Sequence, residues 1–160
     1  MKIARKYLAH FINTSTDEKA AVYERLGKDL EEFSPEMSAE VETKENILGE
    51  TAVSISGYKK SVGVEPYYAE KGSALFDRLQ AIIDGNLVLD ALKTDVVDVK
   101  LWEGEEGATS CAAIKEEAYI EVTSYGGDKN GYRIAFNLHY TGVKTNGNFD
   151  LKSKTFTAAA

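Results

Sequence analysis

Hydrophobic and polar residues alternate with a period of two along much of this chain. That spacing puts one face of a strand on a core and the other in water. Met37, Ala39 and Val41 alternate with Glu36, Ser38, Glu40 and Glu42. The pattern predicts a half-buried strand with Met37, Ala39 and Val41 on its core face and an acidic outer face. Asn46 to Glu50, with Gly49, reads as a turn. Val53 and Ile55 then alternate with Ser54 and Ser56 until Gly57 interrupts, and Val62 and Val64 resume with the opposite parity. A parity change beside a glycine marks a bulge or a strand crossing from one sheet to another.

Further strands follow the same rule. Tyr7 to Ile12 is a short apolar strand before a polar loop over residues 13–19. Val97, Val99 and Leu101 alternate with Asp98, Lys100 and Trp102. Ala118, Ile120 and Val122 form one apolar face, and Ile134, Phe136, Leu138 and Tyr140 form another. Gly126-Gly127-Asp128-Lys129-Asn130-Gly131 between them is a hairpin signal. Thr155-Phe156-Thr157 reads as an edge strand. Residues 20–33 stay open: Val22, Leu26, Leu30 and Phe33 suit a helix, but Gly27 interrupts it, and short strands around a turn at Gly27-Lys28 suit them as well.

Only one segment has firm helical spacing. From Ser73 to Asp84, Leu75, Phe76, Leu79, Ile82 and Ile83 fall on one stripe, with Arg78 and Gln80 outside it. Ser73 is placed to cap its start, and Gly85-Asn86 to stop it. Many strands with one helix predict a mainly β fold: an antiparallel β-sandwich or flattened barrel with one α-helix packed on its side. Residues 1–160 read as one domain, with an N-terminal arm over 1–16 and a C-terminal arm over 150–160. Few prolines blunt the strands, so exposed edges are expected to be covered or to pair with another copy.

Composition narrows the function. The 160 residues carry a net charge of −7. That argues against a protein that grips nucleic acid or an anionic membrane, since such grip comes from Lys and Arg. One cysteine, Cys111, excludes an intrachain disulfide and suits a reducing cytoplasm. No apolar run reaches the length of a membrane span, and Tyr7 to Ile12 is too short for a signal-peptide core. A soluble protein folding in the cytoplasm is expected.

Candidate chemistry is thin. His10 and His139 lie far apart in sequence, without the short spacing of a metal site. His139 falls on the polar face of its strand and reads as a surface residue. Cys111 has no flanking motif and reads as a buried small residue. Glu105-Glu106 and Glu116-Glu117 are adjacent, so on a strand each pair points to opposite faces, and both read as solvated surface rather than an acid–base dyad. No phosphate-binding glycine motif precedes the helix. The expectation is a protein with no catalytic site, metal or cofactor.

Residues 54–76 carry a resemblance. Here Ser54-Ile55-Ser56-Gly57 leads through Val62-Gly63-Val64 to Pro66-Tyr67-Tyr68, and then to a helix opening Ser73-Ala74-Leu75-Phe76. A Glu/Thr-rich strand, Glu40 to Glu45, precedes this stretch. A strand at Val96 to Glu103 and a Gly-rich hairpin at Tyr125 to Gly131 follow, before Tyr132-Arg133-Ile134-Ala135-Phe136. From about Tyr7 to Gly142 this order resembles the tail tube (major tail) proteins of long-tailed bacteriophages and of prophages in Gram-positive bacteria. The resemblance implies a structural virion protein, assembled in the host bacterial cytoplasm. Its copies would form rings of six whose strands join into a barrel around a lumen. The rings would stack into a tube, with tape-measure, tail terminator and distal tail proteins as partners. Genomic DNA would pass through without specific binding, and no membrane would be involved.

On that reading the acidic face is the lumen wall, with Glu36, Ser38, Glu40, Glu42, Lys44, Ser54 and Ser56 facing the DNA. Ring-stacking grips are expected at Lys44, Glu45, Asn46, Gly49 and Glu50, and at Lys152, Lys154 and Phe156. Two other readings remain. One is a ring protein of a contractile injection or secretion tube. The other is a non-viral β-sandwich ligand-binding module using Trp102, Tyr119 and Tyr125 as stacking aromatics.

Overall fold

A computed structural model describes every residue except Glu18, so that part of the loop expected at 13–19 lies outside the described residues. The fold is mainly β, with one α-helix on a curled, half-barrel antiparallel sheet. The strands are β1 (Leu8–Asn13), β2 (Tyr23–Leu26), β3 (Ala39–Glu45), β4 (Thr51–Tyr58), β5 (Ser61–Tyr68), β6 (Lys93–Lys100), β7 (Ser110–Asp128), β8 (Gly131–Asp150) and β9 (Thr155–Ala158). The helix, α1 (Ala74–Gly85), lies between β5 and β6. The large sheet runs in the order β2-β1-β6-β7-β8-β5, and β9 pairs with the far end of β8. The hairpin β3–β4 is a separate two-stranded sheet.

Residues 20–33 resolve in favour of strand: β2 ends at Leu26, and Gly27, at φ 146°, turns the chain out of it. A helix through this point would place a glycine at its centre and forfeit the pairing with β1. The two long strands form one hairpin around Lys129-Asn130, with Asp128 opposite Gly131. Its register shifts between Glu116 and Ala118 and again between Val122 and Ser124. Such bulges bend a long ribbon. One half of the hairpin therefore pairs with β5, and the other half carries β9.

The bend makes two cores. The larger gathers Val62, Val64, Ile120, Ile134, Phe136 and Leu138 under the helix. The smaller lies around Phe149, whose ring stands 4.4 Å from Phe11 and meets Tyr23 edge-on at 5.6 Å. Of the helix stripe, Leu75, Leu79 and Ile82 are buried, while Phe76 and Ile83 pack at the margin. Ser73 Oγ accepts from Phe76 N, and Asn86, at φ 47°, closes the other end with its N–H on Ile82 O.

Several expectations need correction. Arg78, placed outside the stripe by its charge, is buried. Its Nη1 donates to Asn13 O at 3.0 Å and Ser15 O at 3.2 Å, and its Nη2 to Lys93 O. A guanidinium has enough donors to serve three carbonyls at once, which is why it can be buried here. Glu116, read as solvated, is also buried, with Oε1 2.9 Å from Lys60 Nζ. The alternation ending at Trp102 stops at Lys100, where a 3-10 turn over Leu101–Glu103 begins. Within the segment 1–16, Leu8–Asn13 is β1, an interior strand between β2 and β6, whereas residues 1–7 are exposed. The C-terminal segment is not free: Phe156 lies opposite Phe149 and packs on the smaller core.

Candidate assembly surfaces

The β3–β4 hairpin buries nothing. Every residue of β3 is exposed, and of β4 only Gly57 is even partly covered. The predicted core face of Met37, Ala39 and Val41 is therefore absent: Met37 is 48% and Val41 58% exposed. The alternation is a strand from Ala39 onward and not from Glu36, and a strand's apolar face implies a partner surface without saying that it belongs to the same chain.

Cross-strand register sorts the hairpin into two faces. Val41 lies opposite Ile55, Thr43 opposite Val53, and Ala39 opposite Tyr58. The other face holds Glu40 opposite Gly57, Glu42 opposite Ser54, and Lys44 opposite Ala52. Ser56 has no register partner; it is the extra residue of a bulge between Ile55 and Gly57. That insertion brings Tyr58 into line with the apolar face, which carries Val41, Val53, Ile55 and Tyr58, each more than half exposed. A two-stranded hairpin is marginal in water by itself, and one showing an apolar face is more so.

Turn chemistry holds the tip. Asn46 Oδ1 accepts from Leu48 N at 2.9 Å and Glu50 N at 3.0 Å, and its Nδ2 donates to Glu50 Oε2 at 2.6 Å. Gly49, at φ 79°, takes the left-handed position. The two residues this turn displays, Ile47 and Leu48, are 102% and 77% exposed.

The expected lumen set is divided by the backbone. Glu40, Glu42, Lys44 and Ser54 share the polar hairpin face, and Lys59 Nζ and Lys44 Nζ flank it at 2.9 Å from Glu40 and 3.4 Å from Glu42. Ser38, at φ 46°, breaks the strand, so Glu36 falls out of phase. Glu36 instead exchanges backbone hydrogen bonds of 2.8 and 3.0 Å with Ser61 at the start of β5. The stacking set is likewise split. Lys44, Glu45, Asn46, Gly49 and Glu50 surround the hairpin tip, whereas Lys152, Lys154 and Phe156 belong to the β8–β9 turn and β9.

The chemical candidates are separated in space. His10 is buried, with Nδ1 2.6 Å from Asp98 Oδ1 and Nε2 2.8 Å from Arg5 Nη2. A guanidinium only donates, so Nε2 accepts and the ring proton goes from Nδ1 to Asp98; both nitrogens are committed to structure. His139 is exposed on β8 and shares Glu121 Oε1 with Asn137 Nδ2. These two donors hold the Glu121 carboxyl below its ordinary range. Cys111 is buried in the smaller core. Among the described residues, no group of three or more His, Cys, Asp or Glu is placed to hold a metal ion. Trp102 lines an apolar groove with Ile3 and Tyr7 that includes neither Tyr119 nor Tyr125. No described helix is long and apolar enough to cross a membrane.

No protein-family model matches the sequence, and no curated protein matches it.

Proposed function

We propose that this chain is a structural subunit that assembles with copies of itself, and that the assembly is a tail tube of the kind found in long-tailed bacteriophages and prophages. The observation that carries this is the β3–β4 hairpin: a full hairpin outside the core, amphipathic, with its apolar face in water. A surface of that kind is stable when a partner covers it. The large sheet adds a second reason. It ends in β2 on one side and β5 on the other, with β9 a further edge beside β8, and a neighbour's strands can extend the two terminal edges. A closed ring would remove both.

Within this reading the hairpin lays Val41, Val53, Ile55 and Tyr58 on an adjacent subunit. Its opposite face, with Glu40, Glu42, Lys44 and Ser54, stays in water and lines the path of the DNA. With Lys59 and Lys44 paired to Glu40 and Glu42, that face carries no excess of positive charge, so phosphates gain little by adsorbing to it. The tape-measure, terminator and distal tail partners follow from the tube reading and share its fate. A contractile injection or secretion tube would use the same subunit surfaces.

The test replaces Glu40–Gly57 with a two-glycine turn. That deletion removes no core residue, so the subunit should keep its melting temperature within a few degrees and lose self-association in sedimentation velocity. Undiminished assembly by the deletion variant would contradict the proposal.

A further inference from the structure

We infer that the tip of the β3–β4 hairpin docks into a basic cleft on a second copy, between the 3-10 turn Arg5–Tyr7 and the segment from Arg25 to Phe33. This rests on the self-assembly reading and names the surface that receives the hairpin. The cleft has a volume of about 500 Å³ and is lined by Arg5, Lys6, Arg25 and Lys28, with Leu30 and Phe33 among its apolar walls. Glu31 is the one carboxylate in its lining.

In a chain of net charge −7, four cations against one carboxylate is a local reversal of sign. Much of that charge is uncommitted. Lys28 pairs with Glu70. Arg5 spends its guanidinium on Leu8 O, Phe33 O and His10, and Lys6 lies 5.3 Å from the Tyr7 ring centroid. Arg5, Lys6 and Arg25 form no ion pair among the described residues.

The hairpin tip has the complementary layout. Ile47 and Leu48 project at its end, and Glu45 and Glu50 flank them. Neither carboxylate has a cation partner among the described residues; Glu50 is held only by the Asn46 amide. Two aliphatic side chains between two carboxylates without a cation partner match a partly apolar cleft in which, among the described residues, Lys6 and Arg25 have no carboxylate partner. Buried apolar anchors supply affinity in such contacts, and opposed charges set the register.

The other large cavities fit less well. The groove beside Trp102 sets Glu105 and Glu106 against Lys2, so its carboxylates outnumber its side-chain cations where Glu45 and Glu50 would need the reverse. The cavity beside α1 sets Asp77 against Arg78, whose two Nη atoms are bonded to three carbonyls while its buried Nε has no partner among the described residues, so it lacks the excess of cations found in the cleft. Because tip and cleft are different surfaces, the contact is head-to-tail and propagates from copy to copy.

Cross-linking tests this in the full chain. With Cys111→Ala as background, Leu48→Cys marks the tip, Glu31→Cys the cleft and Ala108→Cys the Trp102 groove as control. Mixing the tip and cleft variants with a short bismaleimide should give a covalent dimer, and both cysteines in one chain should give a ladder. Arg25→Glu should cut the cross-link at least tenfold, and Glu45→Arg on the partner should restore it. Assembly in sedimentation with no tip–cleft cross-link, or with the tip linked to Ala108→Cys instead, overturns the docking and leaves self-assembly standing. Monomer at every concentration with no cross-link overturns both.

Discussion

Lys60 Nζ stands 2.9 Å from Glu116 Oε1 and 4.4 Å from the centroid of the Tyr140 ring. The pair joins the residue just before β5 to the middle of β7 across β8, and Tyr140 N donates to Lys60 O at 3.0 Å. It fixes the point where the chain leaves the exposed hairpin and enters the sheet. Removing one partner of a buried pair strands the other charge. Glu116→Ala should therefore cost about 3–5 kcal/mol in urea unfolding. Lys60→Met combined with Glu116→Leu should cost far less, since no charge is left behind.

Arg78 ties the helix to the sheet through carbonyls of Asn13, Ser15 and Lys93. Arg78→Met keeps most of the volume and leaves these acceptors short of donors. Each buried unpaired group costs about 1–3 kcal/mol. The variant should lose several degrees of melting temperature, and Arg78→Lys should recover only part of it, because one ammonium cannot span all three.

Helix packing gives an ordered pair of outcomes. Leu79 is fully buried, so Leu79→Ala should cost about 2–5 kcal/mol. Phe76 sits at the margin, edge-on to Tyr132 at 6.1 Å, and Phe76→Ala should cost less than Leu79→Ala. Equal or reversed losses would mean the helix is seated differently.

Burial raises the phenols of Tyr23 and Tyr140 well above their ordinary value, and the Asp95 carboxylate adds to the effect at Tyr23. A raised folded pKa means stability that is complete below the unfolded value, about pH 10, and lost as pH rises beyond it. In an absorbance titration these two tyrosines should stay un-ionised until alkaline unfolding exposes them. Ionisation of all nine together before unfolding would contradict their placement.

Much of the fold was legible in the alternation of residues, and the helix in its spacing, cap and stop. What failed did so for identifiable reasons. Arg78 was excluded from the interior by its charge, and three carbonyls 15 to 65 residues away admitted it. Glu116 was hidden because its partner, Lys60, lies 56 residues off. Residues 110–117 and 142–150 extend the central hairpin well beyond its clear alternation, held by pairing that only the folded sheet supplies. The hairpin β3–β4 was recognised as strands and turn but assigned a core face, because period two reports a covered face and not whose atoms cover it.

The C-terminal hairpin illustrates the same limit. Polar, small-residue termini read as a free arm, yet a Cβ built on Gly147 would lie 2.1 Å from Thr157 O. That close approach shows how tightly β9 is seated. Gly147→Ala should dislodge β9, expose Phe149 and raise proteolysis after Asp150, seen as a truncated band in limited digestion.

The most direct measurement of the central claim is electron microscopy of the purified full chain across a concentration series, paired with native mass spectrometry. Sixfold rings that stack into tubes of uniform diameter should appear as concentration rises, and should be lost with Ile47→Asp. A single monomeric species at every concentration, with no rings or tubes on the grid, would contradict it.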